Sequence, residues 1–329
     1  MRVVILNPIA GRKRIPGLEK RLERAFCRHG IPCEILLTRK AGDATALARE
    51  AVQQGADLVV AAGGDGTVNE VVNGLVGTNT PLGIIPLGTV NVLARELGIP
   101  LAAHKAIKTI AEGSPKPIDV GIANGRCFTL MAGFGFDAEV VTNVLQPIKD
   151  WIGASAYILK GLETLAKCQA TEITLEMPEE TYSAKAFLVV VANVSTYGYN
   201  LHIAPMAAPD DGFLDICVFE RPITDRIGFM RQVAEVFINR HMYHKAVRFF
   251  RTTQVTLRSE PEVFVHLDGD PFGKTPVEIS IRPQILPVIR PLTIDHRPLT
   301  IDLKKSPGRG DSGAFRGERD ARSVWYSSY

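Results

Sequence analysis

The chain has 329 residues, 46% hydrophobic and 22% charged, which is enough apolar material for two cores of ordinary size, so two domains are expected. A net charge of only +3, with no strong basic excess, argues against a nucleic-acid binder. The five cysteines, Cys27, Cys33, Cys127, Cys168 and Cys217, are odd in number and lack C-x-x-C spacing, so they read as reduced, buried thiols of a cytosolic protein and not as a disulfide or zinc framework.

The chain enters a strand at once, Val3 to Leu6, without an apolar signal core. No later run approaches the ~20 residues needed to span a bilayer, so a soluble, intracellular protein is expected. A helix follows with Leu18, Leu22, Ala25 and Phe26 on one stripe and Gly30 as its stop, then a strand at Glu34 to Leu37. A second helix, about Asp43 to Gln54, buries Leu47, Ala48, Ala51 and Val52 before Gly55. The strand Asp57 to Ala62 runs into GGDGTVNEVVNGL (Gly63 to Leu75), a glycine-rich turn and a helix with Val68, Val71, Val72 and Leu75 on one face, and Leu82 to Ile85 is the next strand. Apolar strands alternating with helices predict an α/β domain with a parallel sheet, binding ligands at the carboxyl ends of its strands. Asn7, Thr38, Gly63 to Asn69 and Thr89 all lie just after strands and converge on one rim, as a nucleotide site requires.

The glycine loop has the chemistry of a phosphate grip. Gly63, Gly64 and Gly66 let the backbone take positive φ and approach a ligand, while the first-turn N–H groups favour an anion. Thr67 can cap the helix or bind a phosphate oxygen. Asp65 would repel phosphate unless a cation such as Mg²⁺ lay between them, which points to a metal-bound nucleotide. The bland alternative is a tight Gly-Asp-Gly turn with Asp65 as a local cap. Neither commoner phosphate loop fits: GDPFGKT (Gly269 to Thr275) is one residue short of a Walker A loop, and GFGFDA (Gly133 to Ala138) matches a dinucleotide pattern without a second βαβ unit after it.

From about Asp119 the texture turns to short β-rich runs: CFTLMA, TEITLEM, AKAFLVVVANV, FLDICVF, QVTLR, VFVHLD and VEISIRP. This spacing predicts a β-rich antiparallel sandwich, interrupted by helices near Trp151 to Lys167 and Ile223 to Asn239, with the active site in the cleft between the domains. A last strand, about Gln284 to Ile289, is a candidate to return to the first domain. The expected boundaries are 1–120, 121–290 and a tail, 291–329, that carries the duplication RPLTIDH/RPLTIDL and reads as disordered. His241 and His244 have i, i+3 spacing but no acids or cysteines in register, so surface or capping roles are preferred to zinc. Arg221 to Arg251 holds seven Lys or Arg against two acids, interleaved with Ile227, Phe229, Met230, Val233, Phe237 and Ile238. Packing of that helix on the second domain is preferred to contact with an anionic membrane.

Five blocks carry a resemblance: VVILNPIAGRK at Val3, GGDGTVNEVVNGL at Gly63, PLGIIPLGTVNVLARELGIP at Pro81, IAPMAAPDDGFLDICVF at Ile203 and VFVHLDGDP at Val263. Spanning Val3 to about Arg290, they resemble the catalytic domain of the diacylglycerol kinase and sphingosine kinase superfamily, in its bacterial soluble lipid kinase branch. The resemblance implies an NAD kinase/diacylglycerol kinase-like first domain. It also implies ATP- and Mg²⁺-dependent transfer of the γ-phosphate to a lipid hydroxyl, with diacylglycerol giving phosphatidic acid in phospholipid metabolism. Asn7, Thr38, Gly63, Gly64, Asp65, Gly66, Thr67, Val68, Asn69 and Thr89 would bind ATP, with Asp65 also catalytic. The general base, a Glu in the family, is Asp270 here, about one methylene (~1.5 Å) shorter. Asp211 would hold a structural Mg²⁺ with the carbonyls of Ala208 and Phe213, and the alternative there is a plain Asp-Gly turn. The lipid would be met at the inner face of the membrane, peripherally; a homodimer is left open and no nucleic-acid partner is expected. The rivals are an NAD kinase-like small-molecule kinase and a non-catalytic nucleotide or lipid sensor, the latter motivated by Asp270 and by the reading of Asp268-Gly269-Asp270 as a mere hairpin turn.

Overall fold

The computed structural model describes residues 1–11, 16–136, 138, 169–198, 201–221 and 225–292. The helix expected near Trp151 to Lys167, Cys168, and the tail from 293 onward with most of its duplicated heptapeptide lie outside the described residues.

The first domain alternates β1 (Arg2–Leu6), α1 (Leu18–Arg28), β2 (Glu34–Leu37), α2 (Asp43–Gln53), β3 (Leu58–Gly63), α3 (Asp65–Leu75) and β4 (Leu82–Pro86), then α4 (Val92–Glu96) and α5 (Ala103–Glu112). The strands are parallel in the order β2-β1-β3-β4, with Val4 opposite Val60 and Val60 opposite Gly83. Both faces are covered, as the continuous apolar runs of β1 and β3 require. Phe26 of α1 and Ile107 of α5 close one face over Val4, Val60 and Ile85, while Ala48 of α2 and Val71 of α3 close the other over Ile5, Val59 and Ile84. From β1 the chain steps outward to β2 and returns past β1 to β3. The carboxyl ends of β1 and β3 therefore flank a topological switch point, where doubly wound sheets bind ligands.

The second domain is an antiparallel sandwich. Its strands are β5 (Ser114–Ala123), β6 (Arg126–Phe128), β7 (Met131–Gly135), β8 (Thr171–Glu176), β9 (Thr181–Ala192), β10 (Thr196–Gly198), β11 (Leu201–His202), β12 (Leu214–Glu220), β13 (Val247–Thr252), β14 (Gln254–Glu260), β15 (Phe264–Leu267), β16 (Asp270–Lys274) and β17 (Val277–Arg290), with helix α6 (Asp225–Phe237) between β12 and β13. Phe128, Phe134, Val189, Ile216, Leu257 and Ile279 lie in its separate apolar core. Gly133 and Gly135 sit inside β7, an antiparallel strand paired with β9 and β15, so the dinucleotide-like pattern there is sheet.

Several boundaries differ from expectation. The runs VEISIRP and Gln284 to Ile289 are one strand, β17, because Gln284 takes a left-handed φ of 52° and absorbs an irregularity between Arg282 and Leu286 without ending the pairing with β5. The amino-terminal part of β17 pairs with β14 and its far end runs parallel to β4, Val288 opposite Leu82, so the last strand does return to the first domain. CFTLMA splits into β6 and β7, while VRFFRT and DPFGK form strands that alternation alone did not reveal. Cys127 and Cys217 are buried as expected, whereas Cys27 is exposed on α1 and Cys33 only half-buried. No helix among the described residues is long and apolar enough to cross a membrane.

Candidate functional site

Three loops meet at the carboxyl ends of β1, β3 and β4. Asn7, just past β1, donates its N–H to Ala62 O (2.9 Å) and its side-chain amide to Thr67 Oγ1 (3.2 Å). Leu87 N–H donates to Gly63 O (2.8 Å), and Asn91 locks the next turn by accepting from Gly88 N–H and donating to Gly88 O, both at 2.9 Å. Thr38 donates its N–H to Leu6 O (3.0 Å), which sets it beside the end of β1, and Thr89 is exposed on the third loop.

The glycines of this loop are required for space, not for a left-handed backbone. None of Gly63, Gly64 and Gly66 has positive φ. A Cβ on Gly63 would collide with the Thr67 side chain, and a Cβ on Gly88 would lie 2.6 Å from the Gly64 Cα. Gly66 is different: a Cβ there meets nothing within 4 Å, at the first turn of α3, so the space beside it is open. Thr67 accepts the Asn7 amide and does not cap, and Val68 closes its own N–H onto Gly64 O (3.0 Å) inside the helix. The free first-turn donors at this rim are therefore those ahead of Val68.

Asp65 opens α3 and points at the first turn of α4, accepting from Leu93 N–H at 3.4 Å. Burial raises its pKa; the backbone N–H groups of Leu93 and Val92 pull it down, and the negative charge of Asp268 pushes it up again. A carboxylate held among backbone donors, next to open space at a helix N-terminus, fits a divalent ion carried on a nucleotide.

The rest of the motif joins the two domains. Asn69 donates to Asp268 Oδ2 (2.7 Å) and to Cys127 O (3.3 Å), so its amide serves the second domain's hairpin. Asn73, one turn on, exchanges hydrogen bonds with the Cys127 backbone at 3.0 and 3.1 Å. Glu70 accepts the Ala44 N–H in the first turn of α2 (3.1 Å), and Gly74 lets α2 come close enough that a Cβ would sit 2.6 Å from the Ala48 Cβ. These contacts explain the Asn-Glu extension of the glycine loop.

Asp268 is the residue that sequence reasoning missed. With φ of 51° at Asp268 and 82° at Gly269, the pair forms the two-residue turn between β15 and β16, as the hairpin reading had it. Yet its carboxylate is turned inward and accepts from Asn69, from the N–H and hydroxyl of Thr129, and from Leu130 and Met131 N–H, all within 3.1 Å. Burial pushes its pKa up and these donors oppose the rise. The turn so anchored presents Asp270 as the first residue of β16, 37% exposed and 3.8 Å from the Arg126 guanidinium of β6. An Asp-Gly pair signals the turn, but nothing in the sequence says that its first carboxylate faces inward.

Asp211 lies in a different cluster. Its Oδ1 accepts Phe213 N–H (3.2 Å) and its Oδ2 faces Arg251 (3.2 Å), whose guanidinium also pairs with Asp215 (2.8 Å) and lies over the Phe213 ring. Burial raises the Asp211 pKa, and Arg251 opposes it. A cation held by Asp211 and the carbonyls of Ala208 and Phe213 would compete with that guanidinium. The segment is tied down by the fully buried Asp119, which accepts Gly212 N–H (2.6 Å) and Gln284 N–H (2.7 Å). His241 is buried against Ile203 O and His244 accepts Ala246 N–H, so the two face different partners.

Comparison with known proteins agrees with this architecture. The diacylglycerol kinase catalytic domain profile matches residues 2–123, and the YegS C-terminal NAD kinase beta sandwich-like domain profile matches residues 131–290. A diacylglycerol kinase of Bacillus subtilis (strain 168) is 34% identical over 278 residues, 84% of this chain and 91% of that protein. One from Staphylococcus saprophyticus is 32% identical over 279 residues, covering 83% and 90%. A crystal structure from Bacillus anthracis str. Sterne, provisionally described as a diacylglycerol kinase, superposes with a TM-score of 0.75 at 27% identity, over 88% of this chain and 96% of that one.

Proposed function

Because the chain belongs to the diacylglycerol kinase family, we propose that it transfers the γ-phosphate of ATP to a lipid hydroxyl, with diacylglycerol as acceptor and phosphatidic acid as product. One observation carries this reading. The Asp268 turn is bolted by Asn69 to the helix that opens at Asp65 and Gly66, so the same short hairpin that carries the half-exposed Asp270 is fixed to the glycine-loop helix.

In this reading the first-turn N–H groups of α3 and the third loop hold the phosphates, and Asp65 would hold a divalent ion, whose charge would offset that of the transferring group. Asp270 accepts the proton of the attacking hydroxyl, and Arg126 beside it offers a cation to phosphoryl oxygens. Asp268 is a positioning residue: its donors hold the turn still, and the two-domain clamp through Asn69 keeps acceptor and donor in line. No step is assigned to a metal at Asp211. The aspartate at 270 is part of this proposal, since a turn anchored at five points supports a shorter side chain acting from a fixed place.

The test is phosphate transfer from γ-labelled ATP to micellar lipid alcohols (diacylglycerol, sphingoid base, phosphatidylglycerol and polyprenol), with NAD as the rival acceptor. Label on diacylglycerol, reduced about 10²-fold or more by Asp270→Ala, supports the proposal. Label on NAD alone would replace it with a small-molecule kinase, and ATP binding with no transfer to any acceptor would make the protein a sensor.

A further inference from the structure

Helix α6 is apolar on two sides. Phe229, Gln232 and Val236 turn inward, Phe229 stacking on Phe187 with ring centroids 4.5 Å apart, which is the packing expected of this helix. Ile227, Met230, Phe237 and Ile238, on the opposite side and just past its end, are 77%, 48%, 64% and 62% exposed, against the expectation that they pack on the second domain. At 100° per residue these four and the exposed Ala234 fall within about one third of the helix circumference. An outward apolar stripe of this kind is covered by something other than its own domain. Beside it Tyr243 is exposed, and the exposed cations Arg240 and Lys245 form no ion pair among the described residues.

We propose that this face docks on an anionic lipid surface, its apolar side chains entering the acyl boundary while Arg240 and Lys245 meet head groups. The charge favours lipid over a second copy of the chain: Arg231 pairs with Glu235 (2.8 Å), Arg248 with Glu220 (3.2 Å) and Arg251 with Asp215 (2.8 Å), which leaves Arg240 and Lys245 beside the apolar stripe as cations that no described acid pairs with. A two-fold contact through this face would set like charges against each other. The face is also linked to the candidate site. Helix α6 packs against β11, β11 pairs with β10, and β10 is held to α4 by Glu96, which accepts from Ser195 Oγ (2.9 Å) and Thr196 N–H (2.8 Å). The inference rests on the lipid kinase reading, because it is the lipid acceptor that gives such docking a purpose.

Flotation of the full chain with vesicles tests it without turnover. The natural protein should float with mixed phosphatidylglycerol and phosphatidylcholine vesicles, less so as salt rises, and not with phosphatidylcholine alone. Ile227→Asp with Phe237→Asp, and separately Arg240→Glu with Lys245→Glu, should each cut bound protein about tenfold or more, with thermal midpoint and transfer to a micellar short-chain diacylglycerol unchanged. Variants that float like the natural protein, or a natural protein that does not float, would overturn the proposal. So would a natural dimer made monomeric by Phe237→Asp, which would assign the face to self-association. Absence of micellar transfer with flotation intact would instead count against the kinase reading alone.

Discussion

Asp65 and Asp268 are buried carboxylates in unlike surroundings, and substitution separates their roles. Asp65 has its pKa raised chiefly by burial, so its ionised form costs stability as pH rises through and above the carboxylate range, and costs nothing at acid pH where folded and unfolded states are both protonated. Asp65→Asn should therefore melt at or above the natural midpoint at pH 7, the gap closing toward acid pH in a series of melts. Asp268→Asn should behave oppositely. An amide cannot accept from all five donors, and burying unmatched N–H groups should cost about 2–4 kcal/mol, read as a lower denaturation midpoint with an unchanged slope. At this scale Asp65 stood out because a carboxylate inside a glycine loop is chemically odd, and Asp270 came into view through the family resemblance alone. Asp268, Asp119 and Arg126 did not, since what distinguishes them is the long-range partner each one meets.

The glycine loop and the loop after β4 that packs on it hold glycines that do separable work. At Gly88 an added Cβ would lie 2.6 Å from the Gly64 Cα, backbone against backbone, so Gly88→Ala should lower both the thermal midpoint and nucleotide affinity. At Gly66 an added methyl meets no protein atom within 4 Å. Gly66→Ala should thus fold with a midpoint within a few degrees of natural, yet bind ATP about tenfold or more weakly in calorimetry, if phosphate fills the space beside it; unaltered affinity would move the phosphates elsewhere. Alternation and stop signals made the helices and strands up to β4 readable to within a residue or two. The second half was readable as antiparallel sheet, but β13 and β16 were not found, because half-buried strands with mixed faces lack a clear period.

At the scale of the molecule, β5 and β17 are common property of both domains. Their pairing extends from Ser114 opposite Arg290 to Ala123 opposite Ile279, and β17 also carries β14 and touches β4. A chain with two strands shared in this way should unfold in one calorimetric transition, and two separable transitions would show that the domains are independent. A boundary drawn at 120 falls inside β5, which composition could not reveal, because the strand passes from half-exposed residues, Ser114 to Pro117, into a continuously buried run, Ile118 to Gly121, without a turn between them. The proposed site rests on this architecture: the switch point at β1 and β3 lies at one end of α3, and the Asp268 turn is held to the same helix by Asn69. The most direct measurement of that arrangement is transfer of label from γ-labelled ATP to micellar dioctanoylglycerol in the presence of Mg²⁺, by the natural chain and by Asp65→Asn side by side. The account predicts labelled phosphatidic acid from the natural chain and none from the folded variant, whereas equal rates from the two, or no lipid label despite bound ATP, would contradict it.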